Sequence, residues 1–153
     1  LARERQGRLV YEPVNACILL LGQADGAEVI TIEDLETSKG LHPIQDAMVK
    51  RHGSQCGYCT PGIVMSLFAL SHTNNDKVDR DSINDALAGN LCRCTGYKPI
   101  IDAALDSCVA PLPDQFDMRE SATLAELANF RAGEDACFFV EGASGRDLGG
   151  RCH

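Results

Sequence analysis

The pattern of hydrophobic and polar positions changes near residue 36. Before it, short apolar runs bounded by turn residues predict three β-strands, at residues 9–11, 16–21 and 28–32. After it, apolar residues recur at helical spacing as far as residue 108, which predicts four helices. Their start signals are Pro43, Thr60 followed by Pro61, Asp81, and Pro99. Short connections, with one apolar face on each helix, predict a compact four-helix bundle.

The chain changes character again after Cys108. Pro111 and Pro113 disfavour both a helix and a central strand, so residues 109–114 are predicted to form an extended linker at a domain boundary. Beyond the linker, the pattern predicts a modest helix at 121–128, a strand at 136–140 and a glycine-rich end at 142–150. The glycine spacing of that end fits no phosphate-binding fingerprint, so we interpret it as an ordinary flexible terminus.

Composition and charge narrow the class of protein. Of the 153 residues, 44% are hydrophobic and 24% are charged, which excludes disordered, collagen-like and coiled-coil classes. A net charge of -8 argues against a nucleic acid or an anionic membrane as a partner. The longest apolar run, residues 16–21, is far shorter than the ~20 residues that span a bilayer. We therefore expect a cytoplasmic protein whose partners include no nucleic acid and no membrane.

Two cysteine pairs carry the candidate chemistry. Cys56 and Cys59 form a C-x-x-C pair, Cys92 and Cys94 form a C-x-C pair, and each pair lies just ahead of a proline-initiated helix. The 32 residues between the pairs hold two predicted helices, enough to bring the second pair back beside the first. All four sulfurs can then converge at one end of the bundle. Helix N-termini would stabilise the thiolates there through free N–H groups and a positive dipole end.

The spacing of the cysteines leaves the bound metal open. In a reducing compartment, clustered cysteines more often bind metal or do redox work than form disulfides. Four thiolates suit either zinc or an iron–sulfur cluster, and spacing alone slightly favours zinc. The tight C-x-C pair is nevertheless unlike a usual zinc knuckle. It could hold one iron of a binuclear cluster while the C-x-x-C pair holds the other, and thiol–disulfide chemistry is a third alternative.

The loops around the cysteines resemble a known family. Residues 53–62 and 89–100 have the sequences GSQCGYCTPG and GNLCRCTGYKPI, and they resemble the second 2Fe–2S domain of the xanthine dehydrogenase family of molybdenum hydroxylases. Residues 11–17, YEPVNAC, are similar to the end of the plant-type ferredoxin domain that precedes it. The resemblance covers about residues 8–108.

The resemblance implies an α+β fold, in which the C-terminal part of a plant-type ferredoxin β-grasp domain is followed by a four-helix 2Fe–2S-binding bundle. We divide the chain accordingly into three parts. Residues 1–37 would be the ferredoxin remnant, residues 38–108 the helical 2Fe–2S-binding domain, and residues 109–153 a linker and possible start of an FAD domain.

The resemblance also implies a ligand set and a neighbour. It assigns a 2Fe–2S cluster to Cys56, Cys59, Cys92 and Cys94, and so replaces the zinc that spacing favours. It places Gln55 and Cys94 against a molybdopterin cofactor held by a partner subunit or domain. Without the resemblance, Gln55 would be interpreted as a solvated loop amide, although an amide has the donors and acceptors that suit a pterin edge.

The remaining cysteines and one histidine need separate interpretations. A lone cysteine among apolar residues, such as Cys17, is usually a buried small hydrophobe, but the resemblance makes it the last ligand of a plant-type cluster. The other three ligands would precede Leu1, so we expect one complete cluster here and interpret the chain as a truncated or partly supplied subunit. His52 is interpreted as a helix C-terminal dipole partner and not as a ligand. The others are interpreted as structural or incidental: Cys108, Cys137 and Cys152.

The function that the resemblance implies is electron transfer. Electrons would pass from a molybdopterin centre through this cluster towards FAD and NAD in a purine-hydroxylating complex, with a molybdopterin-binding subunit or domain and an FAD domain as partners. No catalytic residue is expected on this chain. The alternatives are another molybdenum hydroxylase, acting on an aldehyde, carbon monoxide or an N-heterocycle, and, from a different class, a zinc-binding interaction module.

Overall fold

The computed structural model describes residues 1–38, 40–73, 78–109, 113–132, 137–141 and 147–151, and within these ranges the fold is α+β. The helices are α1 (Pro43–Lys50), α2 (Thr60–Ser71), α3 (Arg80–Leu87), α4 (Lys98–Cys108) and α5 (Gln115–Ala132). The strands are β1 (Ala2–Arg5), β2 (Arg8–Tyr11), β3 (Ala27–Glu28), β4 (Cys137–Glu141) and β5 (Asp147–Arg151). Two short 3₁₀ helices span Leu21–Ala24 and Ile32–Leu35.

A small antiparallel sheet begins the chain, with strand order β2-β1-β3. The turn from β1 to β2 uses Gln6 and Gly7, both at positive φ, which matches the right-handed twist of a tight hairpin. Ala2 lies opposite Tyr11 on one side and Glu28 on the other, and it is fully buried. The predicted strand at 9–11 is therefore present as β2.

The other two predicted N-terminal strands differ from the structure. Residues 16–21 are wrong as a buried strand, because the N–H groups of Ile18 and Leu19 both bond to the Asn15 carbonyl and close a local turn. The side chains of Ile18 and Leu21 are about three-quarters exposed, at 75% and 74%. An apolar run alone did not distinguish a buried strand from an exposed turn.

The predicted strand at 28–32 is shortened for a local reason. Only Ala27–Glu28 pairs with β1. At Thr31 the backbone N–H donates to the Asp34 carboxylate at 2.7 Å, and this bond starts the 3₁₀ helix Ile32–Leu35. Leu35 is fully buried in the main core, so the segment still supplies a core residue.

The four predicted helices between residues 43 and 108 are present as α1 to α4 and pack on one another around one apolar core. Two of the predicted caps are wrong. Asp79, not Asp81, caps α3, because its Oδ1 accepts from the Ser82 N–H at 2.9 Å. Thr60 is the first residue of α2, and Cys59 takes the cap position.

Helix α5 is longer than the predicted helix at 121–128 and packs back onto the N-terminal sheet. The Glu120 carboxylate accepts from the Leu9 N–H at 2.9 Å, and Arg119 pairs with Glu28 of β3. The fully buried ring of Phe116 lies 4.8 Å from that of Phe68, centroid to centroid. Helix α5 thus packs on the sheet, and Phe116 joins it to the core that contains Phe68 of α2.

A buried ion-pair cluster fixes the start of α5. Asp114 Oδ2 lies 2.8 Å from His42 Nε2 and 3.3 Å from His72 Nε2, while its Oδ1 accepts from the Phe116 N–H at 2.7 Å. These bonds hold the pKa of Asp114 well below its usual range despite burial, which acts in the opposite direction. The cluster therefore joins the N-terminus of α1, the C-terminus of α2 and the N-terminus of α5.

The residues after Cys108 can be compared with the predicted linker, strand and glycine-rich end. The strand predicted at 136–140 is present as β4, and β5, antiparallel to it, takes part of the end that was interpreted as flexible. The predicted linker and glycine-rich end lie partly outside the described residues, at 110–112 and 142–146. Among the helices described above, none is long and apolar enough to cross a membrane.

Candidate metal centre

The two cysteine pairs lie in two loops of the helical region. Cys56 and Cys59 occupy the loop from α1 to α2, and Cys92 and Cys94 occupy the loop from α3 to α4. The helices that follow the loops, α2 and α4, are in contact with each other. The thiols of the two loops also interact, so the fold brings the starts of α2 and α4 together, as the sequence predicts.

The thiols pair across the two loops and not within each motif. The Cys94 thiol lies close enough to Cys56 to shift its pKa, and the Cys92 thiol does the same for Cys59. Each pair thus takes one cysteine from the C-x-x-C motif and one from the C-x-C motif.

The surroundings of the two thiols in each pair shift their pKa values in opposite directions. In the first, the Tyr58 N–H and then the Cys94 thiol lower the pKa of Cys56, whereas the Cys56 thiol raises the pKa of Cys94. In the second, Thr95 lowers the pKa of Cys92 to about 7, whereas burial and then Cys92 raise the pKa of Cys59. One thiol of each pair is thus predisposed to be the thiolate that a metal requires.

The donor set fits an iron–sulfur cluster. Four cysteines, which bind metal as soft thiolates, lie in the two loops at the start of α2 and α4. Four thiolates also suit zinc, so the donor set by itself leaves both metals open.

A polar network that sequence reasoning missed surrounds Cys92. The Thr95 hydroxyl lies 3.1 Å from Cys92 Sγ, and the Tyr97 hydroxyl accepts from the Cys92 N–H at 2.8 Å. Tyr97 also donates through its hydroxyl to the Asn90 carbonyl at 3.1 Å, and the Asn90 side chain donates to Ser66 of α2 at 2.8 Å. The signal was present in the letters TGY directly after Cys94, but a hydroxyl near a cysteine in sequence does not reveal a bond.

Close packing between the loops depends on Gly62. A Cβ at Gly62 would lie 3.0 Å from Asn90 Oδ1, tighter than most real contacts. The first turn of α2 therefore approaches the second ligand loop because this position has no side chain.

Cys56, Cys59, Cys92 and Cys94 form a cysteine quartet, and one edge of it faces outward. Cys56, Cys94 and the neighbouring Gln55 are exposed, whereas Cys59 and Cys92 are half-buried. The side chain of Tyr58 at this edge is 96% exposed. A second surface could therefore reach the quartet on the side of Cys56 and Cys94.

The other candidate residues lie elsewhere. Cys17 is exposed in the turn after β2, and Cys108 is buried in α4 with its Sγ 3.7 Å from the Leu67 carbonyl. His52 is exposed just after α1 at positive φ. Cys137 is in β4, and Cys152 is outside the described residues.

The histidine and carboxylate group at α5 is a structural cluster. Its His72 ring bonds to the Phe68 carbonyl through Nδ1 at 3.0 Å and faces Asp114 through Nε2. Both oxygens of Asp114 already accept hydrogen bonds from protein groups. We interpret this group as a cap and ion pair of α5.

The model of a family described as a 2Fe-2S binding domain matches residues 31–105, which include all four cysteines of the quartet. This part of the chain is therefore similar to that family. The match selects the iron–sulfur interpretation over the zinc module.

Curated relatives show in which enzymes similar sequences occur. A xanthine dehydrogenase of Blastobotrys adeninivorans is 50% identical over 99 residues, which are 65% of this chain and 7% of the relative. A human aldehyde oxidase is 47% identical over 102 residues, which are 66% of this chain and 8% of the relative. The chain thus spans less than a tenth of the length of these relatives.

Solved structures share the fold. Quinoline 2-oxidoreductase of Pseudomonas putida 86 aligns with a TM-score of 0.55 at 34% identity, covering 79% of this chain and 64% of that one. Aldehyde oxidoreductase of Desulfovibrio gigas aligns with a TM-score of 0.56 at 35% identity, covering 87% of this chain and 13% of that one. The domain is therefore related to the iron–sulfur part of molybdenum hydroxylases.

Proposed function

We propose that this chain carries single electrons between a molybdopterin centre and FAD, through a 2Fe–2S cluster held by Cys56, Cys59, Cys92 and Cys94. The observation that carries the proposal is the quartet itself, two thiol pairs formed across two loops at the start of α2 and α4. When bound, the cluster supplies a one-electron carrier with no bond-making chemistry of its own.

The residues of the chain hold and tune the charge of that group. The four cysteines bind as thiolates, and α2 begins directly after Cys59, so the positive end of its dipole lies next to them. The half-buried side of the quartet, at Cys59 and Cys92, limits access of water. The exposed side, at Cys56 and Cys94, is where electrons would enter or leave.

We place the molybdopterin partner at the exposed edge. Gln55 lies there beside Cys56. Its side-chain amide can both donate and accept hydrogen bonds, as the edge of a pterin requires. Gly57 and Gly96 in the two loops have no side chain to hold another surface away. This supports the assignment of Gln55 and Cys94 to the contact with the molybdopterin cofactor.

For the substrate of the whole complex, we propose a purine, oxidised with FAD and NAD as later acceptors. The support is the similarity to xanthine dehydrogenases, which at 50% identity slightly exceeds the 47% identity to a human aldehyde oxidase. The runner-up is therefore a molybdenum hydroxylase that oxidises aldehydes. We also propose that residues 1–37 belong to a ferredoxin-like β-grasp domain. We further propose that the chain acts in the cytoplasm, in keeping with the six cysteines that are free among the described residues.

Anaerobic loading of the chain with iron and sulfide tests the cluster. We expect the absorption spectrum of a 2Fe–2S protein, with about two irons and two sulfides per chain. Cys94→Ser should lose this spectrum, because it removes a ligand. A colourless protein that instead binds one zinc per chain would contradict the proposal.

Gln55→Ala tests the partner contact in the assembled complex. Gln55 is not a ligand, so the cluster spectrum should be unchanged, while reduction of the cluster by the molybdenum partner should slow. Unchanged reduction kinetics and unchanged molybdopterin retention would return Gln55 to an ordinary loop amide.

A further inference from the structure

The Thr95 hydroxyl lies next to one of the ligand sulfurs, that of Cys92. Its Oγ1 is 3.1 Å from Cys92 Sγ, and the same oxygen accepts a hydrogen bond from the Tyr97 N–H at 3.2 Å. One lone pair of the hydroxyl is therefore directed at the backbone. Its single proton is left to point at the sulfur.

When the quartet holds an iron–sulfur cluster, the hydrogen bond between Thr95 and Cys92 can have only one direction. A cysteine that binds iron is a thiolate and has no proton to give, so it can only accept. A threonine hydroxyl has one proton and can donate. Thr95 is thus the donor and the Cys92 sulfur the acceptor.

We propose that Thr95 tunes the 2Fe–2S cluster by donating a hydrogen bond to the Cys92 sulfur, and that this bond raises the reduction potential. The inference rests on the proposed cluster and deepens it. Thr95 is a positioning and tuning residue, since it touches a ligand sulfur and no substrate.

The physical reason is a change of charge. The couple takes up one electron and no atom moves, so the sulfur ligands become more negative on reduction. A fixed donor stabilises the more negative state more strongly, and hydrogen bonds to sulfur are one of the ways in which proteins set cluster potentials. Cys92 and Thr95 are both half-buried, so water competes less for that sulfur than it does at the exposed Cys94.

The geometry of Thr95 is held from two directions. The Tyr97 N–H fixes its oxygen, and the Tyr97 hydroxyl fixes the Cys92 backbone at 2.8 Å. The donor and the acceptor are therefore tied to the same residue, so the bond does not depend on a free side-chain rotor.

The test is a redox titration of the full chain loaded with iron and sulfide. Thr95→Val keeps the shape of the side chain and removes its proton donor. We expect the equilibrium constant for one-electron reduction to fall about tenfold, which is a fall of about 59 mV in potential. Thr95→Ser keeps the hydroxyl and should restore most of the wild-type potential.

Thr60→Val is the matched control. The Thr60 hydroxyl is in the other ligand loop region, 2.7 Å from the Ser54 hydroxyl and bonded to oxygen instead of sulfur. Its removal should leave the potential near the wild-type value. A loss that came only from general loosening of the loops would lower both variants alike, and that result would overturn the inference.

Cluster content separates the possible failures. If the wild-type chain takes up no 2Fe–2S cluster, the proposed function fails. If it does, and Thr95→Val has the wild-type potential or Thr95→Ser fails to restore it, only the role of Thr95 is wrong. Should the valine variant not load, Thr95→Ala removes the donor with less volume, and the same drop is expected from it.

Discussion

Tyr97 shows how one residue shapes the second ligand loop. It has a φ of 66°, a left-handed conformation that costs a non-glycine residue of order 1–3 kcal/mol. Its hydroxyl bonds to the Cys92 N–H and the Asn90 carbonyl on the opposite side of the loop. These bonds offset the backbone cost and close the loop around the cysteines.

Replacing Tyr97 by Phe removes the hydroxyl and leaves both half-buried backbone groups without it. We expect the free energy of unfolding to fall by about 1–3 kcal/mol. In the loaded protein, iron should also pass to a chelator faster than in the wild type. Urea unfolding and chelator kinetics measure the two effects.

Tyr58→Phe is the control for that prediction. Tyr58 is in the first ligand loop and is 96% exposed, so its hydroxyl is solvated and its loss should be nearly neutral. Equal effects of the two substitutions would show that the hydroxyl of Tyr97 does not hold the loop.

Gly53 marks the entrance to the first ligand loop. A Cβ there would lie 2.7 Å from Met48 Sδ and 2.9 Å from Met48 Cε, and Met48 is only 3% exposed. Gly53→Ala must therefore displace a buried side chain, and we expect a loss of about 1–3 kcal/mol in the free energy of unfolding. Thermal or urea unfolding would measure it.

Gly89→Ala provides the comparison, since nothing lies within 4 Å of a Cβ at Gly89. It should change stability little. A double variant with Met48→Ala should recover part of the loss at Gly53, because the smaller side chain makes room. No recovery would place the cost in the backbone and not in the contact.

At the scale of single residues, the spacing of the cysteines was enough to predict the quartet. It was not enough to predict Thr95 or Tyr97, because their bonds depend on a tight turn in which residues three to five apart meet side by side. The pairing of thiols across loops was also beyond the spacing, since it depends on how two loops face each other.

At the scale of elements, start signals were more informative than apolar runs. Proline in the first turn located α1, α2 and α4 to within about one residue. Residues 16–21 are as apolar as a buried strand, yet they form an exposed turn because no neighbouring strand pairs with them in the part of the chain that the structure describes. Tertiary pairing, which sequence pattern does not contain, decided that segment.

Asp114 ties three elements together and makes their docking dependent on pH. Burial lowers the pKa of His72, but its bonds to Asp114 and to the Phe68 carbonyl outweigh this and raise it. Stability from a raised histidine pKa is complete below the unfolded value of about 6.5 and is lost as pH rises through the folded value. Stability from the depressed Asp114 pKa is present above about 3.9 and is lost as pH falls.

Asp114→Asn should therefore destabilise the protein most between about pH 4 and 6.5. Asparagine is also a good helix cap, so the substitution removes the charge and keeps the cap of α5. We expect a loss of about 1–3 kcal/mol near pH 5.5 and a smaller one near pH 9. Urea unfolding of both proteins across this range measures the difference, and a loss that is the same at every pH would rule out the ion pair as its cause.

At the scale of the whole molecule, the quartet and Cys17 are separate. Cys17 is exposed in the turn that follows β2, whereas the quartet lies in the loops that precede α2 and α4. Cys17→Ser should leave about two irons and two sulfides per chain. Metal analysis after anaerobic loading checks this, with Cys59→Ser as the variant that should lose the cluster.

A reproducible content of four irons and four sulfides in the wild type, reduced to two by Cys17→Ser, would contradict the single-cluster expectation. It would show that Cys17 recruits ligands outside the quartet.

The cross-loop pairing of the thiols bears on the order of maturation. Each pair takes one cysteine from each loop, so both loops must be in place before either pair is complete. The pairs come into being only after α3 has folded back along α2. Polypeptide folding would therefore precede completion of the cluster, because a half-synthesised chain that ends before Cys92 offers only two of the four ligand cysteines.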